Sequence, residues 1–152
     1  MKVAFILFAL ALTRAQDTTY NCNSWSQFAI GSYLVENNVW GQGNITDFTQ
    51  CIYHTGTGDD VHFGWNWDWP IGSSDVKAYP EVIFGKKPWN SSSTNAALPI
   101  KIQNLDEFYV VYDLDMVATG SYNLSFEFWV TIDSMSSETG ITTEIMIWMD
   151  NN

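Results

Sequence analysis

Cations are scarce in this chain. Six Lys and Arg stand against 17 Asp and Glu, a formal charge of −11 at neutral pH. So acidic a surface repels nucleic acid and anionic membranes. Histidine is nearly as rare: His54 and His62 have no third ligand at recognisable spacing, and neither cysteine belongs to a Cys-x-x-Cys, so no metal site is read. A phosphate loop, a nucleotide fingerprint and a catalytic Ser/His arrangement are all missing, and no cofactor is expected. Beyond the start of the chain, no apolar run approaches the roughly 18 residues that a membrane span needs. No segment sustains a helical period, and there are no internal repeats and no sign of a second domain.

What is abundant is aromatic. Phe, Trp and Tyr make up 16% of residues against 15% charged, so this is no disordered acidic tail. Eight Trp exceed what a core of this size requires, and some are expected to face sugar. Met1 to Ala15 reads as a secretory leader, with Lys2 ahead of the apolar run Val3 to Leu12 and small Ala15 at the cut. Cleavage there leaves four lysines against the same 17 acids, a formal −13, on a secreted, extracellular chain beginning near Gln16. In that oxidising setting the pair Cys22 and Cys51 reads as one structural disulfide. Sequons at Asn44 and Asn90 lie in Gly- or Ser-rich surface loops and are expected to carry glycans. A third, at Asn123, lies on a strand four residues before Glu127, where a glycan would crowd that face, and is expected to stay bare.

Strands alternate with turns rich in Gly, Asn, Ser and Asp. A strand pair is expected over 28–40, broken near Gly31, followed by 61–69, where Val61, Phe63, Trp65, Trp67 and Trp69 share one face. Further strands are expected at 76–84, with Pro80 marking an edge or bulge, and at 100–102, 108–114, 122–131 and 143–149. Many short strands at this spacing argue for an all-β fold, an antiparallel β-sandwich.

The chemistry concentrates near the end of the chain. In Thr143-Glu144-Ile145-Met146-Ile147-Trp148-Met149, alternation places Glu144, Met146 and Trp148 on one strand face. A carboxylate in line with a thioether and an indole suits a sugar-binding cleft better than a solvated face. Ser125-Phe126-Glu127-Phe128-Trp129 repeats the pattern, with Glu127 and Trp129 together.

These two strands, with NNVWG at 37–41 and VKAYPEV at 76–82, resemble glycoside hydrolase family 12, the retaining endo-β-1,4-glucanases and xyloglucanases. The resemblance implies a β-jelly roll of concanavalin A type, with 16–152 its N-terminal part and the C-terminal strands lacking. It implies β-1,4-linked glucan as partner, monomeric action, and polysaccharide degradation by two carboxylates without metal or cofactor. On that pattern Glu144 is the nucleophile. Glu127 takes the neighbouring-strand place where the family usually has Asp, sharing a proton with the nucleophile. Asn38 and Trp40 line the substrate subsites, Met146 packs on the reacting sugar, and Trp148 shapes the cleft wall. The family's general acid follows later in the sequence and is expected to be absent from this chain. The alternatives are an inactive paralogue that binds glucan or a protein inhibitor, and a secreted lectin.

Overall fold

The computed structural model describes residues 17–151 apart from 59, 73–74, 88–89, 91, 112 and 133–139. The expected leader therefore lies outside the described residues. Eight strands follow in order: β1 (Thr18–Asn21), β2 (Gln27–Ile30), β3 (Tyr33–Glu36), β4 (Thr49–Thr57), β5 (Asp60–Asp68), β6 (Glu81–Phe84), β7 (Asn123–Thr131) and β8 (Ile141–Asn151). They form antiparallel sheets β1-β4-β5 and β2-β3-β6 and the two-stranded β7-β8. The architecture is the expected antiparallel β-sandwich.

Short turns set the registers. Ile30 pairs with Tyr33 across the two-residue turn Gly31-Ser32, and Gly31 adopts φ 55°, the left-handed first position of a type II′ hairpin. The first two sheets meet through β4 and β5 on one side and β2 and β3 on the other. Phe28 meets His54 with ring centroids 4.9 Å apart, and Tyr33 meets Phe63 at 5.1 Å. Val35 and Ile52, both fully buried, fill the same layer, each contributing about 1.5–3 kcal/mol by leaving water. In β5 the face carrying Val61, Phe63, Trp65 and Trp67 is half-buried, whereas His62, Asn66 and Asp68 are exposed. Trp69, just past the strand, stacks on Phe48 at 3.9 Å and donates to Gln50 Oε1.

Several expected strands are absent. Residues 76–80 are irregular and β6 starts only at Glu81, because Pro80 has no N–H for the ladder. Around 100–102, a 3₁₀ turn at Ile102–Asn104 replaces extended chain. The alternating run 108–114 pairs with no strand among the described residues; Phe108 instead lies over Phe126 and Phe128 at 6.4 and 6.0 Å. Conversely β1 and β4 form where no strand was expected. The Thr, Gln, His and Gly56 of β4 dilute its apolar signal, yet Gln50, Cys51 and Ile52 are buried in it.

The outer face of β2-β3-β6 holds an ion cluster. Glu36 and Glu81 are directly opposed across β3 and β6, and Lys87 places its ammonium 3.4 Å from Glu36 Oε2 and 2.5 Å from Glu81 Oε1. Lys87 is 7% exposed and Glu36 8%. Burial raises the Glu81 carboxyl above its ordinary range, against the opposing pull of Lys87 and of the Asn38 amide, with the Glu36 charge adding to the rise.

Two tests follow from these ties. Cys22 and Cys51 are bonded, 29 residues apart in sequence. Replacing both with Ala is expected to lower unfolding stability by about 3–4 kcal/mol, read from the denaturant midpoint. Lys87→Met strips the cation from two opposed carboxylates. A carboxyl raised by burial favours folding below its unfolded pKa and loses that contribution as pH rises through its folded value. The variant is therefore expected to lose about 3–5 kcal/mol at pH 7 and less as the pH falls, where the Glu81 carboxyl takes up a proton.

Candidate active site

Strand alternation assembles the site on β7-β8. Ser125 pairs with Trp148, Glu127 with Met146 and Trp129 with Glu144, so these six side chains share one face and the two carboxylates are diagonal neighbours. The register shifts between Leu124 and Ser125 and between Val130 and Thr131 let β8 pass Met149 and Thr142 without partners, and the alternation from Thr143 to Trp148 is uninterrupted. Each carboxylate has one oxygen held. Trp129 Nε1 donates to Glu144 Oε1 at 3.0 Å. Glu127 Oε1 accepts from Ser125 Oγ at 2.8 Å and from Tyr79 Oη at 2.5 Å, the short range of a charge-assisted O–H···O bond. Trp148 Nε1 points at Met146 Sδ, with Trp148 62% exposed.

Tyr79 joins this face to the ion cluster. Its N–H donates to Asn38 O at 2.9 Å, and two residues on, Glu81 Oε1 accepts from Asn38 Nδ2 at 3.0 Å. The Tyr79 phenol is pushed far above its usual range, first by burial, then by its bond to Glu127 and by the charges of Glu127, Glu144 and Glu81. It is therefore a fixed donor wherever glutamates titrate. Next along the chain, Asn38 Oδ1 accepts the Trp40 N–H at 2.9 Å, and the Trp40 indole is 72% exposed. A Cβ on Gly41 would run into the Val76 carbonyl, so this turn packs backbone against backbone.

The structure brings Glu144, Glu127, Met146 and Trp148 together on one face. Trp40 lies at the surface rather than in the core. Asn38 is buried, its carbonyl oxygen holding the Trp40 backbone and its amide holding Glu81. Asn44 and Asn90 both lie in loops outside the strands, Asn44 exposed and Asn90 half-buried. Sequence reasoning missed Tyr79, Ser125 and Trp129 as carboxylate donors, and Glu81 and Lys87 altogether. It also missed Trp25, which is 51% exposed, adopts φ 63° and donates its N–H to Asn37 O beside the Asn38–Trp40 turn. For Ser125 and Trp129 the signal was present, since they alternate with Glu127. Tyr79 and Glu81 lie in the VKAYPEV stretch that carried part of the resemblance, but the Tyr79 role could not be read from it, because its partner is 48 residues away. No group of three or more His, Cys, Asp or Glu is placed to hold a metal ion among the described residues.

Comparison with known proteins identifies the family. The family model described as glycosyl hydrolase family 12 matches residues 31–152. Endoglucanase S of Pectobacterium parmentieri is 31% identical over 147 residues, covering 95% of this chain and 54% of that protein. The xyloglucan-specific endo-beta-1,4-glucanase A of Emericella nidulans is 28% identical, over 98% of this chain and 56% of its own length. Among solved structures, the family 12 xyloglucanase from Bacillus licheniformis in complex with ligand superposes with a TM-score of 0.72 at 26% identity, over 88% of this chain and 57% of that one. The chain thus spans about half the length of the curated relatives it matches. A match over most of its residues makes this chain a member of glycosyl hydrolase family 12.

Proposed function

We propose that this chain carries the nucleophile side of a secreted, retaining endo-β-1,4-glucanase site acting on β-1,4-linked glucan, xyloglucan included. The observation that carries the reading is the diagonal pair Glu127 and Glu144 on one face of β7-β8, each anchored through a single oxygen. Glu144 attacks the anomeric carbon with its other oxygen, forming a glycosyl ester while the glycosidic bond breaks. The Trp129 N–H bond keeps the carboxylate on its strand rather than swinging into solvent, which is the positioning that a near-attack geometry requires. Glu127, with Oε1 already accepting two donors, is the proton-sharing partner and not the acid. The leaving oxygen takes its proton from a third carboxyl, which the family pattern places downstream of the Glu144 strand. Water then hydrolyses the ester with that third group as base.

The exposed indoles supply the sugar surface. Trp40 and Trp148 present flat apolar faces of the kind that pyranose C–H groups cover, and Trp25 extends that surface beside the Asn38–Trp40 turn. The endoglucanase and xyloglucanase names of the relatives support a glucan as substrate.

A 2,4-dinitrophenyl 2-deoxy-2-fluoro-cellooligosaccharide tests the nucleophile directly, because its leaving group departs without an acid. The expected outcome is a covalent sugar on the peptide bearing Glu144, found by mass spectrometry. Glu144→Gln should slow labelling by about 10⁴-fold or more while retaining glucan binding. A label on Glu127, or none at all, would overturn the assignment.

A further inference from the structure

We propose that Tyr79 is a positioning residue for the carboxylate pair: with Ser125 it occupies Glu127 Oε1, leaving Oε2 as the oxygen that shares a proton with Glu144. The proposal rests on the reading of Glu144 and Glu127 given above.

The geometry argues it in three steps. First, two hydroxyl donors converge on one oxygen, Tyr79 Oη at 2.5 Å and Ser125 Oγ at 2.8 Å. An oxygen already accepting both is a poor place for a third proton, so any proton that Glu127 binds goes to Oε2, which accepts no hydrogen bond among the described residues. Second, the two donors come from different parts of the fold. Ser125 shares the strand with Glu127 and moves with it, whereas Tyr79 lies on the 76–80 segment and fixes the carboxyl relative to the other sheet. That segment is itself clamped: Tyr79 N–H is held by Asn38 O, and Glu81 by Lys87 and Asn38 Nδ2. Third, the hydroxyl is a donor and nothing else. Burial and the charges of Glu127, Glu144 and Glu81 all oppose a phenolate, and Lys87 is engaged by Glu81 and Glu36. Tyr79 therefore takes no part as a base. It selects which oxygen of Glu127 is available and in which plane that carboxyl lies.

Tyr79→Phe keeps the ring and removes only the donor. Glu127 then loses one of the two donors on Oε1, and its side-chain ¹³C carboxyl resonance at neutral pH is expected to move. The first-order rate of Glu144 labelling by the fluoroglycoside is expected to fall about tenfold, with the half-saturating concentration within about twofold. An unmoved resonance overturns the positioning role whatever the labelling shows. A moved resonance with an unchanged labelling rate also overturns it, since Tyr79 then holds Glu127 without consequence for the nucleophile. If the unsubstituted chain takes no label, the glucanase reading fails and takes the proposal with it. Should Tyr79→Phe not fold, the unsubstituted chain decides: the Tyr79 hydroxyl proton must appear as a slowly exchanging downfield resonance that moves in Glu127→Gln. Its absence overturns the proposal.

Discussion

The ammonium of Lys87 is the point from which the site's geometry is set. Strand pairing forces buried Glu36 and half-buried Glu81 to face each other, and the ammonium between them offsets their repulsion. A buried ion cluster is a weak source of stability, because desolvation takes back most of what the attraction supplies. Its value here is directional. An apolar trio would pack the same space but would offer no acceptor to Asn38. That acceptor orients the Asn38 side chain, whose other end holds the backbone of Trp40. One ion pair thus determines where an exposed indole stands.

The same clamp reaches the carboxylates of β7-β8. Tyr79 lies between Asn38 and Glu81 in the hydrogen-bond pattern and delivers its hydroxyl to Glu127 on a strand pair that, among the described residues, shares no ladder with either larger sheet. A two-stranded sheet by itself is marginal in water. The β7-β8 pair is steadied from one side by Phe108 over Phe126 and Phe128, and from the other by this phenol. Glu127, Glu144 and Glu81 all act on the phenol, and the Lys87 ammonium beside Glu81 is shared with Glu36. Such a surplus of negative charge suits a reaction whose transition state places positive charge on the sugar ring.

Much of this was legible in the sequence because it depends on short periods. Period-two alternation placed Glu144, Met146 and Trp148 together, and likewise Glu127 with Trp129, and β7 and β8 preserve both sets. The half-buried face of β5 was readable for the same reason. What could not be read is what depends on long-range partners. Lys87 looks like any surface lysine until β3 and β6 pair and bring Glu36 and Glu81 together. Tyr79 follows an unremarkable Lys-Ala and precedes a proline, and only the meeting of two sheets gives its hydroxyl a partner. The strand expected over 108–114 differs in the opposite direction. Its alternation is real, but alternation describes a face without supplying a neighbour, and among the described residues no strand pairs with it.

Glu at position 127, where the family usually has Asp, looks at first like a defect in the pair. The extra methylene lengthens the arm by about 1.5 Å, which would displace the carboxyl if nothing else held it. The hydrogen bonds show what the longer arm reaches. Oε1 lies within 2.5 Å of a hydroxyl carried by a segment outside the β7-β8 ladder, and within 2.8 Å of a serine two residues back on the same strand. An aspartate on the unchanged β7 backbone would fall short of Tyr79 and keep at most the local serine. The longer side chain exchanges a rigid carboxyl for a flexible one, and the two donors restore the rigidity by fixing one oxygen from two directions. Glu127, Ser125 and Tyr79 are thus joined through one carboxylate oxygen, held from its own strand and from the segment outside the ladder.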